Sequence, residues 1–362
     1  MSPSSGGRGL VELGRELDRA LTAASHRIRL LARATPSGFR AEVERVAQAW
    51  ASGVEASLQL PPSSGPELGG LDLELERLAE RLDGQDPLAA LYAARTRELA
   101  LEARIAESLG GPRVSALAAE RFGRRDGFDD DADEVAERWL AEPGLSPASS
   151  RVLSSDEHEP RSLVCRMREE LGRRRLGVRV VVASDLGALA AAGDGVVQVA
   201  AGIELGVDDV ERTVEHEIEG HLAPMSRARA ERIGLYALGS ARGSDDQEGW
   251  ALTVEERGAH LGLGRRRELA RRHLAARAVQ RGLDFVEVVR LLVSRGVAPE
   301  RAARTAARSA RGGGLAREAV YLGGWLRVRA ALRAEPELEG VITRGRLSVD
   351  AARVLHALAA SS

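Results

Sequence analysis

The chain has 362 residues, enough for one large domain or two of ordinary size, and its apolar content is alanine, leucine and valine with 3% aromatic residues, which favours packed helices over an all-β sandwich. A formal net charge of −2 excludes a global field that would draw the protein to nucleic acid or membrane. All 52 basic residues are arginine and Cys165 is the lone cysteine, so lysine-based catalysis, a disulfide framework and a thiolate metal site are excluded.

The opening "MSPSSGGRGLVELGRELDRA" lacks the apolar core of a signal peptide and no later run is long enough to cross a bilayer, so a cytoplasmic protein is expected. Leu10, Leu13, Leu17, Leu21, Ala24, Ile28 and Leu31 recur at spacings of three and four, predicting a helix with one buried stripe. Phe39, Val43, Val46, Trp50 and Val54 repeat the pattern. "PPSSGPELGG" (61–70) breaks it, and helical text resumes from Leu71 to Leu109. A turn-rich stretch at 142–160 then closes a helical N-terminal region, taken as residues 1–145, ahead of a catalytic domain over 146–362.

After Leu176 the period changes. "GVRVVVASDL" (177–186) and "GDGVVQVAAG" (193–202) are valine-rich, bounded by glycine, and read as strands. The second offers an edge along which an extended peptide could pair. Next comes a helix, N-capped by Asp208 or Asp209, that carries "VERTVEHEIEGHLA" and is expected to end at Pro224. Helices resume from there to the C-terminus, interrupted at "RGGGLA" (311–316) and near Gly340. The expected fold is α+β and mainly helical, with a small sheet beside the helix that bears the histidines.

His216 and His221 are five residues apart. On a regular helix that offset is ~140°, so the two rings diverge. A single π-turn, with i→i+5 bonding, brings them together, and Gly220 offers least resistance to the distortion. Two neutral imidazoles then suit one zinc ion, with Glu217 placed beside the metal to take a proton from water. Two surface histidines on a glutamate-rich helix are the plain alternative.

A third ligand emerges from "GSDDQEGWALTVEERG" (243–258). Ser244 and Gln247 fit a capping box, so a helix starts there with Glu248 in its first turn and Glu255 on the same face. Gly249 would let this helix approach the histidine helix. Glu248 either completes a His-His-Glu set or is an N-terminal carboxylate favoured by the helix dipole, while Glu255 either orients a ligating histidine or is a solvated charge.

"HEIEGH" followed by "QEGWA" resembles the QEGLA-motif family, whose bacterial members are labelled flavohemoglobin expression-modulating proteins and whose animal members include the microtubule-associated tyrosine carboxypeptidases that trim tubulin. "GGGLAREAVYLGGWL" (312–326) is similar to a third block of that family, and the ordered agreement spans residues ~160–335. The resemblance implies His216, His221 and Glu248 as zinc ligands, Glu217 as base, and trimming of a C-terminal residue from a peptide or protein. Trp250 stands where the motif has leucine, and Glu219-Gly220 replaces a smaller pair. The "HExxGH" pattern also resembles dipeptidyl-peptidase III, a larger family without the "QEG" block.

A carboxypeptidase needs a cation for the terminal carboxylate. "ERAARTAARSARGGG" offers Arg301, Arg304, Arg308 and Arg311, of which Arg304 and Arg308 share a helical face and are the predicted substrate-binding pair. Tyr321 is either a phenolic donor to the oxyanion or a core tyrosine. "RRRELARRHLAARAVQR" (265–281) reads as an amphipathic helix with a solvated basic face, and the remaining histidines (26, 158, 260, 273, 356) as structural or exposed. The rivals to a one-zinc metallocarboxypeptidase are a regulatory protein that keeps a structural zinc and a zinc hydrolase of a non-peptide amide. Neither nucleic acid nor membrane is expected as a partner.

Overall fold

The computed structural model describes residues 5–60, 67–124, 126–144, 150–193 and 195–361, with side chains from residue 14 on. It opens with helices α1 (Ser5–Ile28), α2 (Leu30–Arg33) and α3 (Phe39–Ala51). Leu21, Ala24 and Ile28 form the expected buried stripe; the side chains of Leu10 and Leu13 lie outside the described set. Arg29 then adopts a left-handed φ of 37° and breaks the helix. That turn resets the register, so Leu30 takes the core position and Leu31 is 38% exposed. Val54 falls beyond the end of α3 and is exposed as well.

Helices α4 (Leu71–Leu82), α5 (Pro87–Ser108), α6 (Val114–Phe122) and α7 (Phe128–Ala141) follow. Asp86 caps α5 by accepting from the Ala89 amide, and Pro87 opens it, where no amide hydrogen is needed. Within the stretch expected to be turns, residues 151–153 form strand β1 (Arg151–Leu153), ahead of α8 (Leu163–Arg173).

Four further strands are β2 (Arg179–Ala183), β3 (Ala190–Gly193), β4 (Val196–Ala200) and β5 (Glu204–Gly206). β1 and β5 pair antiparallel; the other three form a sheet of order β2-β4-β3, with β2 parallel and β3 antiparallel to β4. The second valine-rich strand, β4, is therefore central and cannot be the edge for a peptide. Its valines at 197 and 199 are buried on one face while Gln198 between them is exposed, the alternation of a strand covered on one side. The edges are β2 and β3, the latter an alanine run whose low strand propensity hid it.

The remainder is helical: α9 (Val207–Glu215), a π-helical segment (His216–Leu222), α10 (Ala223–Ala228), α11 (Leu235–Leu238), α12 (Gly243–Arg257), α13 (Leu263–Gln280), α14 (Phe285–Ser294), α15 (Pro299–Gly314), α16 (Val320–Ala334), α17 (Glu339–Ile342) and α18 (Val349–Ala360). Arg311 to Gly313 leave helical geometry, as the glycine run predicts, whereas Gly340 lies inside α17. None of the described helices is long and apolar enough to cross a membrane.

One core joins the N-terminal helices to α13–α16, from Leu21 through Leu99 and Ile105 to Leu269, Leu292 and Leu322. A second core holds the strands, α8 and the histidine helix together. α13 runs through the first core instead of along the surface. Its Arg265, Arg272 and Arg277 are buried against the carboxylates of Glu255, Glu318 and Asp133, which corrects the expectation of a solvated basic face.

Candidate metal centre

α9 begins two or three residues earlier than expected. Gly206 is its N-cap, and Asp208 and Asp209 sit in the first turn, where their negative charge complements the positive end of the helix dipole. Val210, Val214, Ile218 and Leu222, four apart, lay one stripe of this helix onto the β layer. The backbone then widens into the π-turn over His216–Leu222, as the five-residue spacing requires. The Nε2 atoms of His216 and His221 are consequently 3.3 Å apart. Pro224 does not end the helix but lies in the first turn of α10, where its missing amide hydrogen costs little.

Close packing of α12 on the π-segment runs through Gly220. A Cβ there would lie 2.4 Å from the Ala251 Cβ. Gly249, expected to serve this contact, instead faces Gly324 of α16, whose backbone a Cβ would meet at 2.3 Å. The indole of Trp250 donates to the Glu219 carbonyl at 3.1 Å. α12 starts at Gly243 after a left-handed Arg242, without the predicted capping box. The Ser244 hydroxyl accepts from Arg121 at 3.1 Å, leaving Glu248 in the second turn.

Glu248 Oε2 lies 3.6 Å from His216 Nε2 and 3.7 Å from His221 Nε2. Donors around a tetrahedral ion at bond lengths of about 2.0–2.1 Å stand roughly 3.3–3.4 Å apart, so this triangle is close to ligand geometry. Oε2 is buried without a hydrogen-bond partner, while Oε1 accepts from Arg317 Nη2 at 2.9 Å. A buried carboxylate oxygen left unpaired beside two imidazoles fits a cation. His216, His221 and Glu248 thus form a cluster able to hold one metal ion.

Electrostatics hold two of the three donors, Glu248 and His221, in their metal-binding forms. Burial opposes the charge of Glu248, but Arg317 and the two imidazoles outweigh it and hold its carboxyl well below the ordinary range. Burial keeps His221 below its usual value. His216 is desolvated too, yet Glu248 and Glu255 lift it to about 9. The Glu255 carboxylate accepts from His216 Nδ1 at 2.7 Å and is fully buried. Arg265 forks onto it with two 2.8 Å hydrogen bonds. This fixes the His216 tautomer that presents Nε2 to the cluster.

The cluster opens on a cavity of about 580 Å³ lined also by Glu217, Tyr321, the β3 alanines and Leu31, Ala32 and Thr35 of the N-terminal helices. A larger cavity of about 660 Å³ beside Gly312–Gly314 is walled mostly by leucine, alanine and glycine and holds no such cluster. Arg304 is not in the site. It faces outward from α15 and pairs with Glu44 of α3 at 2.8 Å. Arg308 reaches the wall but sits 3.7 Å from Glu318, which also pairs with Arg311 at 3.0 Å. Arg311 deviates from the helix that made Arg304 and Arg308 look like a pair.

Two wall arginines, Arg317 and Arg346, escaped the sequence reading. Arg317 lies four residues before Tyr321, within the glycine-flanked block, and its Nη1 is 3.4 Å from the phenol oxygen. Arg346 sits in the loop between α17 and α18, in no periodic or motif context. Tyr321 is buried, which raises its hydroxyl pKa, and the Arg272 guanidinium covers its ring at 4.2 Å. Two of the other histidines are structural: His273 bonds Asp133 at 2.7 Å and His260 bonds Glu215 at 2.9 Å.

Residues 67–362 match the model of a family described as microtubule-associated tyrosine carboxypeptidase. No curated protein and no solved structure matches the chain.

Proposed function

The chain belongs to the microtubule-associated tyrosine carboxypeptidase family, and from that premise we propose that it is a zinc-dependent carboxypeptidase that removes a C-terminal residue from a peptide or protein. The observation that carries this reading is the donor triangle of His216, His221 and Glu248, with Glu217 on the wall of the same cavity. Two imidazoles and a carboxylate suit zinc and leave a fourth position open. Zinc held there would polarise the scissile carbonyl and lower the pKa of the attacking water.

The chain's own groups do the rest. Glu217 takes a proton from the attacking water as its oxygen bonds the carbonyl carbon. The C–N bond then breaks, and Glu217 returns that proton to the leaving amine. Tyr321, kept a phenol by burial, is the proposed donor to the developing oxyanion, with Arg317 beside it. The free edge of β3, which lines the cavity, is the proposed rail for the substrate backbone. Glu255 and Arg265 act on substrate only through His216, as positioning residues.

Replacing Glu217 with Gln tests the reading. Zinc content should be unchanged while kcat on a peptide panel falls by roughly 10²–10⁴-fold. A parent protein that retains zinc and turns over no peptide would favour a regulatory role for the centre. Turnover confined to non-peptide amides would favour the hydrolase alternative.

A further inference from the structure

Four arginines line the metal-side cavity, and three are engaged: Arg317 with Glu248, and Arg308 and Arg311 with Glu318. Arg346 differs. Among the described residues no carboxylate lies within ion-pair distance of its guanidinium, and its side chain accounts for no hydrogen bond. Burial and the nearby Arg95 and Arg317 guanidinium groups disfavour its charge, and the Glu102 and Glu248 carboxylates offset them only in part, so an incoming anion would be stabilising there.

The backbone that carries Arg346 is firmly fastened. Its amide donates to the Tyr236 carbonyl at 3.1 Å, and its carbonyl accepts from the Ser240 amide at 3.0 Å. This approach is possible because residues 243 and 345 are glycines. A Cβ on Gly243 would lie 2.2 Å from the Arg346 carbonyl oxygen, and one on Gly345 2.4 Å from that of Tyr236. The side-chain stem passes Gly239, whose Cβ position is 3.2 Å from the Arg346 Cδ. A cation held this way needs little ordering to bind an anion.

Arg346 also lines a second cavity, of about 450 Å³, whose lining does not include the metal ligands. That cavity is walled by Phe122, Met225 and Leu238 and also by Arg95, Glu102 and Arg121, so it offers both apolar and polar surface, and it is closed by residues of the 22–32 stretch. Those closing residues precede the stretch matched by the family model, which begins at residue 67. Leu31 and Ala32 border both cavities, so the N-terminal corner caps the cleft just beyond Arg346.

Resting on the carboxypeptidase reading, we infer that Arg346 clamps the substrate's terminal carboxylate at the junction of the two cavities, and that the second cavity houses the side chain of the released residue. The clamp ties cleavage to a free chain end. The wall around the departing side chain comes from this chain's own N-terminal helices, which makes residues 22–32 specificity determinants.

Calorimetric binding to the zinc-loaded Glu217→Gln protein tests this without turnover. The probes are N-acetylated tetrapeptides ending in tyrosine or glycine, each as free acid and as C-terminal amide. The acid should bind roughly 10- to 100-fold more tightly than its amide, the weight of a charge-assisted pair. Adding Arg346→Met, which keeps the stem and removes the charge, should bring that ratio close to one; Arg346→Lys should restore part of it. Ser25→Trp, which narrows the second cavity, should weaken the tyrosine-ended acid and spare the glycine-ended one. Equal affinity for acid and amide in the Glu217→Gln protein, or a ratio unmoved by Arg346→Met in a variant with parental thermal stability, overturns the assignment. Failure of the hydrolase reading appears separately, as absence of turnover by the parent protein with the acid preference intact.

Discussion

His216 is bracketed by carboxylates, with Glu255 on Nδ1 and Glu248 facing Nε2. Without a metal this arrangement favours the imidazolium and lifts its pKa to about 9, above a reference near 6.5. A raised pKa stabilises the fold fully below pH ~6.5, and that contribution is lost as pH climbs through about 9. Chelator-stripped protein should therefore melt at a lower temperature at pH 9 than at pH 6.5. Zinc-loaded protein should show little of this loss, because the ion takes the place of the proton on Nε2. Differential scanning of both forms across that range checks it; parallel slopes would separate His216 from the metal. Trp250 makes a related point about single residues. It departs from the leucine of the resembled motif, and its indole bonds the carbonyl of Glu219, itself one of the departures between the histidines. The two deviations touch, and together they brace the π-turn.

Among the elements, the π-turn is the one on which the centre depends. It was legible because histidines five apart can share one metal ion only if the helix departs from regular geometry. Its seat against α12 was not, because sequence cannot say which glycine faces which helix. Gly220, not Gly249, permits the approach to α12. Gly220→Ala should force α12 away from the π-segment, carry Glu248 out of the triangle, and weaken zinc binding by roughly 10-fold or more, given that overpacking costs about 1–3 kcal/mol. Competition against a fluorescent chelator measures this, and parental affinity would show that the contact is slack. The long helices were readable from their apolar periodicity, as at Leu21, Ala24 and Ile28. β3 was not, since an alanine run becomes a strand only through pairing with β4. The capping box failed because Ser244 is drawn to Arg121, a partner 123 residues away.

Across the whole molecule, buried charges connect the metal centre to the cavity wall. Glu255 pairs with Arg265, which pairs with Glu268; Arg272 bridges Glu268 to Glu318, and Arg311 ends the series. A chain with arginine as its only basic side chain builds such a series from planar forks that satisfy two carboxylate oxygens at once. The basic run at 265–281 thus looked like surface but is interior, because the acids that neutralise it are scattered through the sequence. Arg346 was hidden for a similar reason, since only the folded chain reveals which arginine has no carboxylate within ion-pair distance. All of this presupposes that residues from α12 and the π-segment close on one ion. Zinc content after dialysis against a weak chelator, determined by mass spectrometry for the parent, His221→Ala and Glu248→Gln proteins, tests that most directly. One equivalent in the parent and nearly none in either variant is expected. A full equivalent retained by both variants, or none in a zinc-saturated parent, would contradict it.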